Sequence, residues 1–454
     1  MAADMAEGIA SLGGGGVRTV PDNEAVPKRL GPLRQDLQDV SLILVGDLNN
    51  NRAIFPYYAN YYTCGDARYP GAGGHELRTV VRPFGDDKNC LIIGAASAAD
   101  GKAAVGRLLE ILRGSKPGRD VELPYVLEVK LSGETARLFE RAAEWLRQGG
   151  GAKPFEEQAA YSLVLDHFTY AAHLYFYTGD ESFARRAREA ILRLVDREPE
   201  KIRIGDYTME NLAVAWRRVC VCPIFSSQER ARVDQSLFGT VAEHSRAWWR
   251  LSDGSKGIGC RHHTTGMLAW WTLIRVLQEV GDLDAESRKQ LQDWRGEAEK
   301  YLNGLTRHYS DDQDDYQSVD SVQNTASYCL QTGDLAWYQN GLAERAARKL
   351  LSITDNRGWY AGIQGYGEAL PGWERFTLNG GLLLGSCAFV YEDGAYDEAL
   401  KRLASLGNSW GSLQPAGLRQ FAGSRPVGPA RARLDSFMDV SRLTPYRLGL
   451  LNAG

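Results

Sequence analysis

From residue 132 to 406, apolar residues return every three to four positions, the spacing that gathers them on one face of an α-helix. The helical stretches are of two kinds. Charge-rich ones such as RRAREAILRL follow turn signals, and more apolar ones such as YSLVLDHFTYAAHLYFY, RHHTTGMLAWWTLIRVL and LNGGLLLGSCAFVY precede them. The turn signals stand at Gly133, Gly179, Ser227, Gly281, Gly333 and Gly394, with steps between 46 residues (133 to 179) and 61 residues (333 to 394), the length of a helical hairpin plus a loop. This predicts six helix pairs, the apolar members forming an inner layer and the polar members an outer one. Such pairs either close into an (α/α)6 toroid or stack as an open superhelix.

Ahead of the helices, over 41–131, short β-rich runs alternate with turns marked by Gly, Asp and Pro. SLILVGD, HELRTVVRPF, NCLIIGA and VELPYVLEVKL read as strands around one amphipathic helix in DGKAAVGRLLEILRG. The fold class is therefore mainly α: an (α/α)6 toroid of helical hairpins preceded by a small α/β domain. The expected boundaries are a flexible N-terminal segment over 1–37, the α/β accessory domain over 38–131, the toroid over 132–406 and an irregular basic segment over 407–454. In that last segment six Arg between 419 and 447 stand against Asp435 and Asp439.

Charge narrows the choice of partners. With 53 basic and 57 acidic side chains there is no basic stripe to neutralise phosphates, so nucleic acid is not an expected partner. No window is apolar over the roughly 20 residues that span a bilayer, and no secretory signal is visible at the start. The strand, turn and helix around Gly94 have the order of a phosphate loop. However, six residues separate Gly94 from Gly101-Lys102, and Ala103 stands where Ser or Thr would be needed. The seven scattered cysteines include no CxxC pair and read as buried free thiols.

Candidate chemistry begins at Gly259-Cys260-Arg261-His262-His263-Thr264-Thr265, where an inner helix starts. Adjacent histidines point about 100° apart on a helix, so one of the two faces a given ligand. The positive end of the helix dipole disfavours an imidazolium, and a neutral His there suits a base; a capping or packing pair is the other reading. Asp311-Asp312-Gln313-Asp314-Asp315-Tyr316-Gln317 reads as a solvated acidic loop without calcium-loop spacing. Asp206-Tyr207-Thr208-Met209-Glu210-Asn211 reads as a polar stretch preceding an inner helix, with Asp206, Tyr207 and Asn211 as substrate-binding candidates. The long Gly and aromatic loop with Trp359, Tyr360, Tyr366, Trp373, Glu374 and Arg375 suits a sugar-stacking wall, as does a chain with 11 Trp and 21 Tyr.

With these residues in view, the chain resembles the (α/α)6-toroid polysaccharide lyases of the broad alginate lyase and heparinase II/III-like group. That group places an Asn-His pair, often followed by x-Thr, at the start of an inner helix, and a catalytic Tyr about one hairpin later. Here His262-His263-Thr264-Thr265 occupies that pattern, and Tyr316 follows His263 by 53 residues (263 to 316). His262 stands where the group has Asn, with Arg261 beside it. The resemblance implies β-elimination at a uronic acid: His262, Arg261 or Asn324 would neutralise the carboxylate, and His263 and Tyr316 would serve as base and acid. It implies no metal, no cofactor, an acidic polysaccharide or oligosaccharide as partner, and a secreted or periplasmic setting.

Two other readings stay open. The same architecture hosts hydrolases with paired carboxylates, for which Asp206, Glu210, Asp315, Glu368 and Glu374 are candidates. The other is a non-catalytic carbohydrate-binding scaffold.

Overall fold

The computed structural model describes residues 2–12, 17–85, 88–114, 125–148, 160–246, 261–307, 315–352 and 381–406, with backbone alone at Tyr207, Arg246, Arg261, His262, 315–320, Leu350, Ser352 and 402–406. The chain is mainly helical with one small sheet, as its periodicities predict. It divides into two compact units. One comprises Met1–Ile204, Thr208–Glu243 and Thr272–Gln292, the other Gly205–Tyr207, His244–Trp271 and Asp293–Gly454.

The first unit holds the sheet. Strands β1 (Leu42–Val45), β2 (His75–Val80), β3 (Cys90–Ala95) and β4 (Leu127–Lys130) lie in the order β1-β3-β2-β4, with β1 parallel to β3 and β2 antiparallel to both β3 and β4. All four fall within the β-rich runs that the sequence marked. Helices α1 (Ala2–Ser11) and α2 (Ala98–Arg113) cover one face. Met5, Ile9, Ala104, Val105, Leu108 and Leu112 meet Leu77, Leu91 and Ile93 in a common core. Ser97 caps α2 by accepting from the Asp100 N–H. Within the segment expected to be flexible over 1–37, residues 2–11 thus form a helix, held by the burial of Met5 and Ile9, one turn apart on one face.

Side chains alternate across a strand, so Glu76 and Arg78 project from β2 opposite to Leu77. Both are buried and form an ion pair at 2.8 Å, with Thr63 donating to the other Glu76 oxygen. Arg78 also donates to the Phe176 carbonyl at 2.7 Å and lies 3.7 Å from the centre of its ring. The 38–131 segment therefore belongs to the same compact unit as the first helices of the hairpin series.

Those helices are α3 (Gly133–Arg147), α4 (Tyr161–Thr178), α5 (Glu181–Arg197), α6 (Asp206–Val219) and α7 (Ser227–Arg246). Then follow α8 (Arg261–Val280), α9 (Ala285–Leu305), α10 (Asp315–Thr332), α11 (Leu342–Ser352), α12 (Gly381–Tyr391) and α13 (Gly394–Leu406). Their hairpins turn where the sequence signals stood. At Gly179 the backbone is left-handed with φ 70°, which a side chain would strain, and Asp180 caps the next helix through the Ser182 N–H. Burial follows the expected two classes. The α4 helix is buried almost all round, whereas α5 buries one stripe, Phe183, Ala184, Ala187, Ala190, Ile191, Leu194 and Val195. The indole of Trp216 on α6 donates to Asp234 on α7, and this joins an inner helix to its outer partner.

Two helix starts lie earlier than the sequence suggested. Asp206–Asn211 is the beginning of α6 rather than a stretch before it, and Asp315 and Tyr316 belong to the first turn of α10 rather than to a loop. Both helices open on Asp, an acidic residue that the positive helix end stabilises. No helix among the described residues is long and apolar enough to cross a membrane. The six described cysteines are free thiols, Cys64 partly exposed and the others buried.

Candidate active site

The second unit brings the start of α8 against α10. Ser321, Asn324 and Thr325 recur at helical spacing on one face of α10. The Asn324 side-chain amide donates to the Thr265 hydroxyl at 3.0 Å and to the Thr264 hydroxyl at 3.2 Å. Thr264 and Ser321 share a contact at 3.4 Å, and Thr325 donates to the Ser321 carbonyl at 2.8 Å. About two turns further along α8 and one along α10, Trp271 meets Tyr328 edge to face at 5.0 Å, while their polar tips reach Glu299 and Asn303 on α9. Polar groups therefore cluster near the helix starts.

Helix rise sets how near the starts are. Thr264 lies about 4.5 Å along the axis from the first residue of α8, and Ser321 about 9 Å from the first residue of α10. His263, on the same first turn as Thr264, is buried at 6% exposure. The structure thus joins Asn324 to the turn that carries His263 and places the Tyr316 backbone in the first turn of the neighbouring helix. For Arg261, His262 and Tyr316 the side chains are not described, and Trp359, Tyr360, Tyr366, Glu368, Trp373, Glu374 and Arg375 lie outside the described residues. Asp206 is half-buried at the start of α6, in the same unit.

The first unit holds a second polar group. Arg218 donates to Nδ1 of His173 at 2.8 Å, which leaves Nε2 to donate to the Asn211 side-chain oxygen at 2.5 Å. Burial and the adjacent guanidinium press the His173 pKa down to about 3, so the ring is neutral. Asn211, a substrate-binding candidate from its position, is thus engaged within the protein. One residue earlier, Glu210 has a carboxyl oxygen buried without a hydrogen-bond partner, and burial raises its pKa to about 7 against the opposing pull of Arg217.

Thr265, His173 and Arg218 were not singled out from sequence. Thr265 stood within the quoted motif, but its importance rests on Asn324, 59 residues away. His173 and Arg218 carry no local signature. Among the described residues no cluster of three His, Cys, Asp or Glu side chains could hold a metal ion. Comparison with family models, curated proteins and solved structures finds no match to the chain.

Proposed function

We propose that the chain is a polysaccharide lyase acting on a uronic-acid-containing polymer, with its helical hairpins closed into an (α/α)6 toroid. The supporting observation is the Asn324 amide bridging to Thr264 and Thr265, which sets the turn bearing His263 beside the helix bearing Tyr316. In this reaction a base removes the proton on C5, next to the carboxylate. The C5–H electron pair forms the C4=C5 double bond, the C4–O4 bond breaks, and O4 leaves with a proton. Hydrogen-bond donors at the carboxylate offset its charge and stabilise the enolate-like intermediate. His263 and Tyr316 are assigned as base and acid, and Arg261 or His262 supply positive or hydrogen-bonding character beside them. The aromatic loop from Trp359 to Trp373 is assigned to sugar stacking.

The test is incubation with a panel of uronic-acid polysaccharides, following ultraviolet absorbance of the unsaturated product alongside new reducing ends. Growth of both supports elimination. Absence of the absorbance on the whole panel overturns the reading.

Glycoside hydrolysis is a second reading, favoured by Glu210. A buried carboxyl with a pKa of about 7 stays protonated near neutrality and fits a general acid. Reducing ends without absorbance would select it.

A further inference from the structure

Asn324 is a natural choice for the group that meets the substrate carboxylate, yet its geometry assigns it a different task. A primary amide has two hydrogens to donate. Here one amide nitrogen serves both Thr264 and Thr265, and the side chain is itself 8% exposed. Both donors are therefore spent inside the protein. Thr264 is fully buried and its oxygen also meets Ser321. Of the hydroxyls that Asn324 reaches, only that of Thr265 is on a partly exposed residue.

A hydroxyl offers one hydrogen and two lone pairs. At Thr265 a lone pair is taken by Asn324, and among the described residues the hydroxyl donates to no acceptor, so its hydrogen is left to give. Accepting a hydrogen bond also strengthens a hydroxyl as a donor, because bonds in a chain polarise one another. We infer that Thr265 is the side chain that donates to the uronate carboxylate, and that Asn324 is a positioning residue that holds this hydroxyl with its hydrogen outward. The assignment rests on the lyase reading and names the group that performs its charge-offsetting step.

Three variants test it, each checked for an unchanged melting temperature. Thr265→Val keeps the shape and removes the hydroxyl; loss of one such donor lowers kcat about 100-fold. Thr265→Ser returns a hydroxyl and recovers most of that loss. Asn324→Asp replaces the donating amide with a carboxylate, which accepts from Thr265 and turns its hydrogen inward; kcat falls as in Thr265→Val although no atom facing substrate has been removed. An active parent with Thr265→Val within twofold of it overturns the assignment and leaves the lyase reading standing. An active parent with a fully active Asn324→Asp overturns the positioning role. A parent without lyase activity on any uronate polymer overturns the reading, and the assignment falls with it.

Discussion

Arg218 on α6 donates to the Nδ1 atom of His173 on α4 at 2.8 Å, and this contact sets the tautomer of the imidazole and, together with burial, its charge. An imidazolium carries hydrogen on both nitrogens and could not accept from a guanidinium. Arg218 also lies 3.9 Å from the centre of the Phe176 ring, and among the described residues it forms no ion pair with a carboxylate. Burial lowers its pKa, and the neutral His173 is the group that accepts from it.

Acid should therefore weaken the protein through His173. Its pKa falls from 6.5 to about 3 on folding, so between those values the unfolded chain binds the extra proton. The contribution is intact above pH 6.5 and is lost as pH falls toward 3, at about 1.4 kcal/mol per pH unit. Urea titrations from pH 4 to 7 should show a shallower pH dependence in His173→Gln than in the parent. Equal slopes would mean that the ring is protonated in the folded protein.

Glu210 acts in the opposite sense. Its pKa rises from 4.5 to about 7, so the folded chain holds the proton longer, and the stability it contributes is complete below pH 4.5 and lost as pH rises through 7. Glu210→Gln should be more stable than the parent at pH 8, and this advantage should vanish by pH 4. Melting temperatures at the two pH values check the sign, and a Gln variant less stable at pH 8 would refute it.

The Glu76–Arg78 pair should respond asymmetrically. Arg78→Met strands a buried carboxylate and should cost about 3–5 kcal/mol, measured by urea unfolding. Adding Glu76→Gln removes the stranded charge and should recover part of that loss. Independent, additive losses would show that the two side chains do not interact.

At the candidate site, His263→Ala and Tyr316→Phe should each abolish the proposed lyase turnover while circular dichroism stays that of the parent. Full turnover in either variant would remove that residue from the mechanism.

The hairpins were readable because burial has a period on each outer helix, as the seven-residue stripe of α5 illustrates. The strands were readable as short β-rich runs bounded by turn residues, and the two central ones, β2 and β3, are buried along nearly their whole length. The starts of α6 and α10 were not, because DYTMEN and DYQSVD put polar residues where the apolar rhythm had not begun. Nor was the order of residues 2–11, since Met5 and Ile9 make too short a stripe ahead of four glycines. At the candidate site, the motif drew attention to the His263 turn, but the hydrogen bonds of Asn324 to Thr264 and Thr265 had no signal in the sequence. Those bonds are a property of two helices side by side, which neither segment carries alone.

The ring of Phe176 has one guanidinium 3.7 Å from its centre and another at 3.9 Å. One comes from a strand of the sheet and the other from the last turn of α6. A chain severed between 131 and 132 would leave Arg78 with no ring and no Phe176 carbonyl, and α4 with an aromatic face turned to water. The α/β segment is thus not an autonomous appendage to be gained or lost at little cost. It and the first hairpins should melt in a single transition, and neither should fold well when expressed without the other.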